Sequence, residues 1–200
     1  MLKEKFGGRN PSHFVVNPIV KAYIISESFL WSAWDLVIPI FSIYVVDNVQ
    51  NGTIQTAAAG YSMYLVSRVI FELISGRFLT GSNDKKKLMF TLAGMLCITG
   101  AYMGFAFSQT ILPVFACYAL AGLGLGIASP AKNSLFAMHL DKNKESTEWS
   151  IADAAAFICM ALATALGGFI AMHYGFQMLF FIAALISLLA TIPYLLYLSD

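Results

Sequence analysis

Of the 200 residues, 58% are hydrophobic and 12% are charged, with a mean hydropathy of +0.72. That balance lies outside the range of soluble globular domains and excludes a water-soluble catalytic or receptor fold. The formal net charge of +1 identifies no partner, because the information is in where the charges fall.

Residues 1–21 are polar and mixed and form an amino-terminal segment without a cleavable leader pattern. Six apolar runs follow, at roughly 22–46, 56–78, 88–107, 111–136, 149–172 and 177–198. Each approaches or exceeds the ~20 residues that carry a helix across a ~30 Å hydrocarbon core. Only helices and closed barrels satisfy their backbone groups in lipid, and these runs are too long and too uniformly apolar for barrel strands. The predicted fold is an all-α membrane protein, a six-transmembrane-helix bundle over 22–198.

Eleven of the twelve basic residues cluster on one side of these runs. Lys3, Lys5, Arg9, Lys21, Arg77, Lys85, Lys86, Lys87, Lys132, Lys142 and Lys144 lie at the amino terminus, in the second and fourth connections, or at the span ends feeding them. The connections Asp47–Gln55, Ser108–Thr110 and His173–Phe176 contain no Lys or Arg. The positive-inside rule predicts an integral protein of a plasma or inner membrane with both termini cytoplasmic.

The first span carries Glu27 and Asp35, with Trp31 and Trp34 between them. The second carries Tyr61, Tyr64, Arg68, Glu72 and Ser75 as a stripe at helical spacing. An ionisable group at mid-bilayer costs about 2.5–3.5 kcal/mol on the insertion scale, so it needs a partner, water or a purpose. Arg68 and Glu72 share a face; they form an inert pair that fixes register, or Arg68 is the counter-charge of a carboxylate cluster that exchanges protons. Glu27 and Asp35 lie about 80° apart around their helix with no second internal base, which favours a functional role in a hydrated cavity.

In the fourth span, Gly122, Gly124 and Gly126, followed by Pro130, predict close helix packing. They lie inside an apolar helix without a preceding strand or a phosphate-reaching Lys, so a nucleotide loop is rejected. Tyr118, Ser129 and Asn133 run along the same span. Ala161, Ala165, Gly167 and Gly168 supply small contact residues in the fifth, and Asp153 suits the first turn of that helix. Trp149 and Tyr174 read as interfacial anchors. Cys97, Cys117 and Cys159 fall within spans without metal-ligand spacing and read as packing residues. His13, His139 and His173 lie in connections or tails, no enzymatic motif is present, and no cofactor, metal or nucleic-acid partner is expected.

The second connection reads Gly76-Arg-Phe-Leu-Thr-Gly-Ser-Asn-Asp-Lys-Lys-Lys-Leu88. It resembles the signature loop of the major facilitator superfamily, Gly-x-Leu-Ala-Asp-Arg-x-Gly-Arg-Lys-x-x-Leu. Gly76, Lys85 and Leu88 match in register, while Thr80, Gly81 and Asn83 replace its Asp, Arg and Gly. The stretches Gly122–Asn133 and Asp141–Gly168 are similar to the fourth and fifth helices of that family. Ser150, Cys159, Ala163, Gly167 and Gly168 fall on small positions of its antiporter motif, with Thr164 in place of the proline. Tyr118 stands where many drug antiporters carry Arg.

The resemblance implies a secondary transporter that moves a small solute by alternating access. The internal acids point to proton coupling, with Glu27, Trp31, Asp35, Tyr64, Arg68, Glu72, Tyr118 and Asn133 expected to line the path. Superfamily members have twelve spans in two halves, so six spans lead to the expectation of a parallel homodimer or a second six-helix half. The alternative is an assembly or regulatory subunit that kept the bundle without transport. The Lys85–Lys87 run reads as a topology determinant drawn to anionic lipid, at about 1 kcal/mol per base.

Overall fold

The computed structural model describes residues 17–198, the last two by backbone only. Most of the expected segment 1–21, including Lys3, Lys5 and Arg9, lies outside the described residues. Pro18 opens the first helix, where its missing N–H is no loss, and the Asn17 side chain accepts from the Ile19 N–H at 2.9 Å. This helix, α1 (Pro18–Val37), passes through a tight turn at Ile38–Ile40, where Pro39 interrupts the ladder, and continues as α2 (Phe41–Asn48).

Helix α3 (Ile54–Leu79) begins at a capping box in which Thr53 and Thr56 exchange hydrogen bonds of 3.1 and 2.7 Å. Gly81, with φ of +70°, turns the chain into α4 (Asp84–Phe107), whose cap Asn83 accepts from the Lys86 N–H at 3.0 Å. Helices α5 (Ile111–His139), α6 (Glu145–Leu189) and α7 (Ile192–Leu198) follow.

Among the described residues five helical runs, not the expected six, are long and apolar enough to cross a membrane: Pro18–Asn48, Ile54–Leu79, Asp84–Phe107, Ile111–His139 and Glu145–Leu196. The expected fifth and sixth spans share one run because no loop separates them. Helical hydrogen bonding resumes on both sides of a single break at Gly175, where φ is 82° and ψ 166°. A straight 45-residue helix would be about 67 Å long, more than twice the hydrocarbon core. The break instead turns the chain back on itself. Before it, Trp149 packs on Tyr23 and the Thr164 hydroxyl reaches the Asp35 carbonyl at 3.4 Å. After it, Phe180 packs on Phe41, and Ser26 donates to the Ala190 carbonyl at 2.7 Å. The two arms of α6 therefore run in opposite directions along α1. Only glycine takes that φ without strain.

Helix α5 is the centre of the packing. A Cβ on Gly122 would run into the Tyr64 carbonyl, and one on Gly126 would lie 2.7 Å from the Arg68 carbonyl, so this face presses on the α3 backbone. Gly124 lies about 200° round the helix, and its Cβ would lie 2.6 Å from the Gly94 carbonyl of α4. Such backbone approach holds helices together where lipid removes the hydrophobic drive. Hydroxyls complete the seam: Ser67 donates to the Ala119 carbonyl and Ser75 to the Gly126 carbonyl, each at 2.7 Å. Pro130 cannot donate to Gly126 from within the helix, and Ser75 supplies the missing donor.

Of the glycine pair in the fifth expected span, Gly167 meets the Leu36 carbonyl while Gly168 faces open space. Thermal unfolding in detergent should therefore show Gly122→Ala destabilised by about 1–3 kcal/mol, with Gly168→Ala unchanged.

Candidate functional site

Glu27, Trp31 and Asp35 follow one another at four-residue steps and form one stripe along α1. Glu27 is buried, and its partner is Lys132 of α5, not Arg68: the Lys132 ammonium bonds Oε1, and the Trp31 indole N–H donates to Oε2 at 2.9 Å. The Tyr23 ring lies 5.7 Å from the same ammonium, and its hydroxyl donates to the Asn133 side-chain oxygen at 3.1 Å. Phe136, stacked on Tyr23 at 4.1 Å and edge-on to Trp149 at 4.6 Å, closes this end of the site. Trp149, expected at the membrane interface, is thus also part of the packing around the pair.

Along α3, Arg68 donates from Nε to Glu72 at 3.2 Å and from Nη1 to the Tyr64 hydroxyl at 3.1 Å. The pair is half-exposed, at 29% for Arg68 and 40% for Glu72, so its strength is modest. The Tyr64 ring rests against Trp34 at 4.7 Å, which joins the α3 stripe to α1. Asp35 is half-buried, and its carboxylate has no ion-pair or hydrogen-bond partner among the described residues.

The expected carboxylate cluster around Arg68 therefore resolves into two separate pairs and one lone acid. The guanidinium is engaged by Tyr64 and Glu72, one turn to either side on its own helix, whereas Lys132 approaches α1 from α5. Sequence reading assigned Lys132 to the topological charges at a span end. Its place inside the fourth apolar run, ahead of Leu135 and Phe136, was the available signal that it is internal.

Tyr118 is buried among Phe41 and Phe105, with ring centroids at 4.8 and 5.2 Å, and lies against Gly60. It reaches the surface only in a cleft of about 250 Å³ that it shares with Tyr61 and Ser42. Asn133 is exposed and held by Tyr23. The expected hydrated cavity is not inside the bundle between Trp31, Trp34 and Tyr102, where the enclosed space is about 10 Å³, room for one water at most. Close glycine packing has closed it. Larger clefts open elsewhere: the one at Tyr118, between α2, α3 and α5, and one of about 240 Å³ between α1 and α6, beside Trp31, Asp153 and Phe157.

This arrangement, sparse charges and aromatics on apolar helices packed through small residues, agrees with the comparison by sequence, in which the profile of the Major Facilitator Superfamily matches residues 23–200. The chain belongs to the Major Facilitator Superfamily. No curated protein matches it individually. It is an integral membrane protein and a transporter of that superfamily, whose members bind small solutes within the bilayer.

The segment Gly76–Leu88, expected to be the signature loop, forms the turn between α3 and α4. Gly76 lies beside Pro130 of α5, whose Cβ would meet an added methyl at an ordinary contact distance of 4.0 Å. Leu88 is buried and Lys85 exposed. Lys86 donates to the Phe78 carbonyl at 2.9 Å and so closes the end of α3.

Breaking a buried ion pair from one side leaves the other charge uncompensated. Lys132→Met should therefore lower stability by about 3–5 kcal/mol, while Glu27→Leu combined with Lys132→Met should recover most of the loss. Thermal unfolding of the three proteins in one detergent measures this.

Proposed function

We propose that this transporter carries a small solute by alternating access, coupled to protons, and that Glu27, Trp31 and Asp35 on α1 with Tyr64, Arg68 and Glu72 on α3 form one wall of its path. Tyr118 and Asn133 bound that wall towards its two ends. The observation that carries the reading is Asp35, an acid within an apolar helix whose carboxylate has no partner among the described residues. An ionised carboxylate there costs about 2.5–3.5 kcal/mol, and a proton removes the charge. A group that is neutral when shielded and ionised when hydrated is what proton coupling requires. Glu27, bonded to Lys132, has the role of holding α1 to α5 during the cycle.

The opposite wall is a second six-helix bundle, either a parallel copy of this chain or a partner half. Val66, Val69 and Leu73 on α3 and Phe157, Leu162 and Leu166 on α6 are all more than half exposed, and Phe157 lines the cleft beside Trp31. In this reading each arm of α6 is a crossing, which makes six, and both ends of the chain are cytoplasmic. The grouping of Arg77, Lys85, Lys86, Lys142 and Lys144 at one end supports that orientation.

Reconstituted in liposomes with an internal pH dye and offered a solute panel, the protein should move protons with at least one solute. Asp35→Asn should abolish that movement, and wild-type proton flux in this variant would refute the coupling. No flux with any solute, together with higher stability of Asp35→Asn, would leave a subunit without transport. In a cysteine-free background of sealed vesicles, Lys85→Cys should label only from the cytoplasmic side and Asn51→Cys only from the outside.

A further inference from the structure

Lys87 is an internal cation that the transport path does not use. It lies in the first turn of α4, keeps 4% of its exposure, and lines a cleft of about 510 Å³ between the α3–α4 turn and α5. The ammonium contacts the Met138 thioether sulfur at 2.8 Å, a weak acceptor that carries no charge. Every acid in a described ion pair is engaged by another base: Glu72 by Arg68, Glu27 by Lys132, Asp141 by Lys144 and Asp84 by His139. Asp84, three residues before Lys87 on the same helix, is the nearest acid in sequence, and its carboxylate is 3.3 Å from His139 Nε2. A buried ammonium whose hydrogen-bond partner among the described residues is a thioether sulfur is far from satisfied.

We infer that this cleft binds a phosphate group, with Lys87 as its central counter-charge. The walls suit an oxygen-rich anion. Ser134 lines the space with a hydroxyl, Thr80 and Ser82 beside it donate theirs to the Gly76 and Leu79 carbonyls at 3.1 and 2.7 Å, and the amino end of α4 adds the positive end of a helix dipole. Ser134 spends its hydroxyl on the Met138 sulfur at 3.7 Å, a contact that an oxyanion would outcompete. Arg77, Lys85 and Lys86 are exposed nearby on the same turn, so the local field draws anions inward. A lipid phosphate headgroup and free inorganic phosphate present the same chemistry to these groups. The site is separate from the wall built on α1 and α3, so its test reads binding and not flux.

Purified full-length protein in neutral detergent is titrated with inorganic phosphate, and in a second arm with phosphatidic acid or phosphatidylcholine in mixed micelles, while thermal unfolding is followed. Phosphate or phosphatidic acid should raise the unfolding temperature. Lys87→Met should weaken the apparent affinity about tenfold or more, the scale of one charge-assisted hydrogen bond. Thr80→Asp, which puts a fixed carboxylate on the cleft wall, should weaken it comparably, and this exposed position keeps the test open if Lys87→Met does not fold. A response to phosphatidic acid but not phosphate assigns a lipid; a response to phosphate alone assigns a soluble anion. No response of the wild type to either probe, or equal responses in wild type and both variants, overturns the site.

Discussion

Close approach of the α5 backbone to its two neighbours is the constraint on which the rest of the molecule depends. Helices in lipid gain nothing from hiding apolar surface from each other, so what holds them is contact distance and the hydrogen bonds that contact distance permits. Gly122 and Gly126 bring α3 onto one face of α5, and Gly124 brings α4 onto the opposite face. The same approach puts Ser75 within reach of the carbonyl that Pro130 leaves without a donor. It also removes the internal space. With α3, α4 and α5 this close, the volume between Trp31, Trp34 and Tyr102 shrinks to that of a single water, and α1 keeps a larger cleft only on its α6 side, beside Trp31.

That packing explains why the internal charges fall into distinct classes. Lys132 extends from α5 into a site closed by Tyr23, Trp31 and Phe136, where only a fully engaged partner is tolerated, and Glu27 meets that demand with both oxygens bonded. Arg68 and Glu72 lie at the edge of the bundle, where partial hydration makes a looser pair sufficient. Asp35 lies on the same stripe as Glu27, two turns further on, where no base reaches it. A charge gradient thus runs along α1, from a locked pair near the basic end to an unlocked acid nearer the middle.

The turn between α3 and α4 follows the same physics at the membrane edge. Gly81 permits the reversal, Asn83 starts α4, and Lys86 closes the end of α3, so the loop is set by backbone needs before any ligand is considered. Lys87 is the exception, since its ammonium serves none of those needs. The basic run that orients the chain therefore contains one residue, out of three adjacent lysines, whose surroundings differ in kind.

What the sequence by itself determined is where the apolar runs fall along the chain and which residues share a helix face. Hydropathy is a one-dimensional property, so the expected 56–78 and 111–136 came close to Ile54–Leu79 and Ile111–His139. The pairing of Arg68 with Glu72 was equally legible, because four-residue spacing on a helix is a local fact. The break at Gly175 falls inside the expected connection His173–Phe176, but that one glycine with positive φ reverses the chain there with no intervening loop was not legible. Only the tertiary structure decided that Glu27 belongs to Lys132, 105 residues away, and that Tyr118 is packed into the aromatic core. Those outcomes depend on which helix lies beside which, and in lipid that is chosen by the fit of small residues between backbones, which hydropathy does not record.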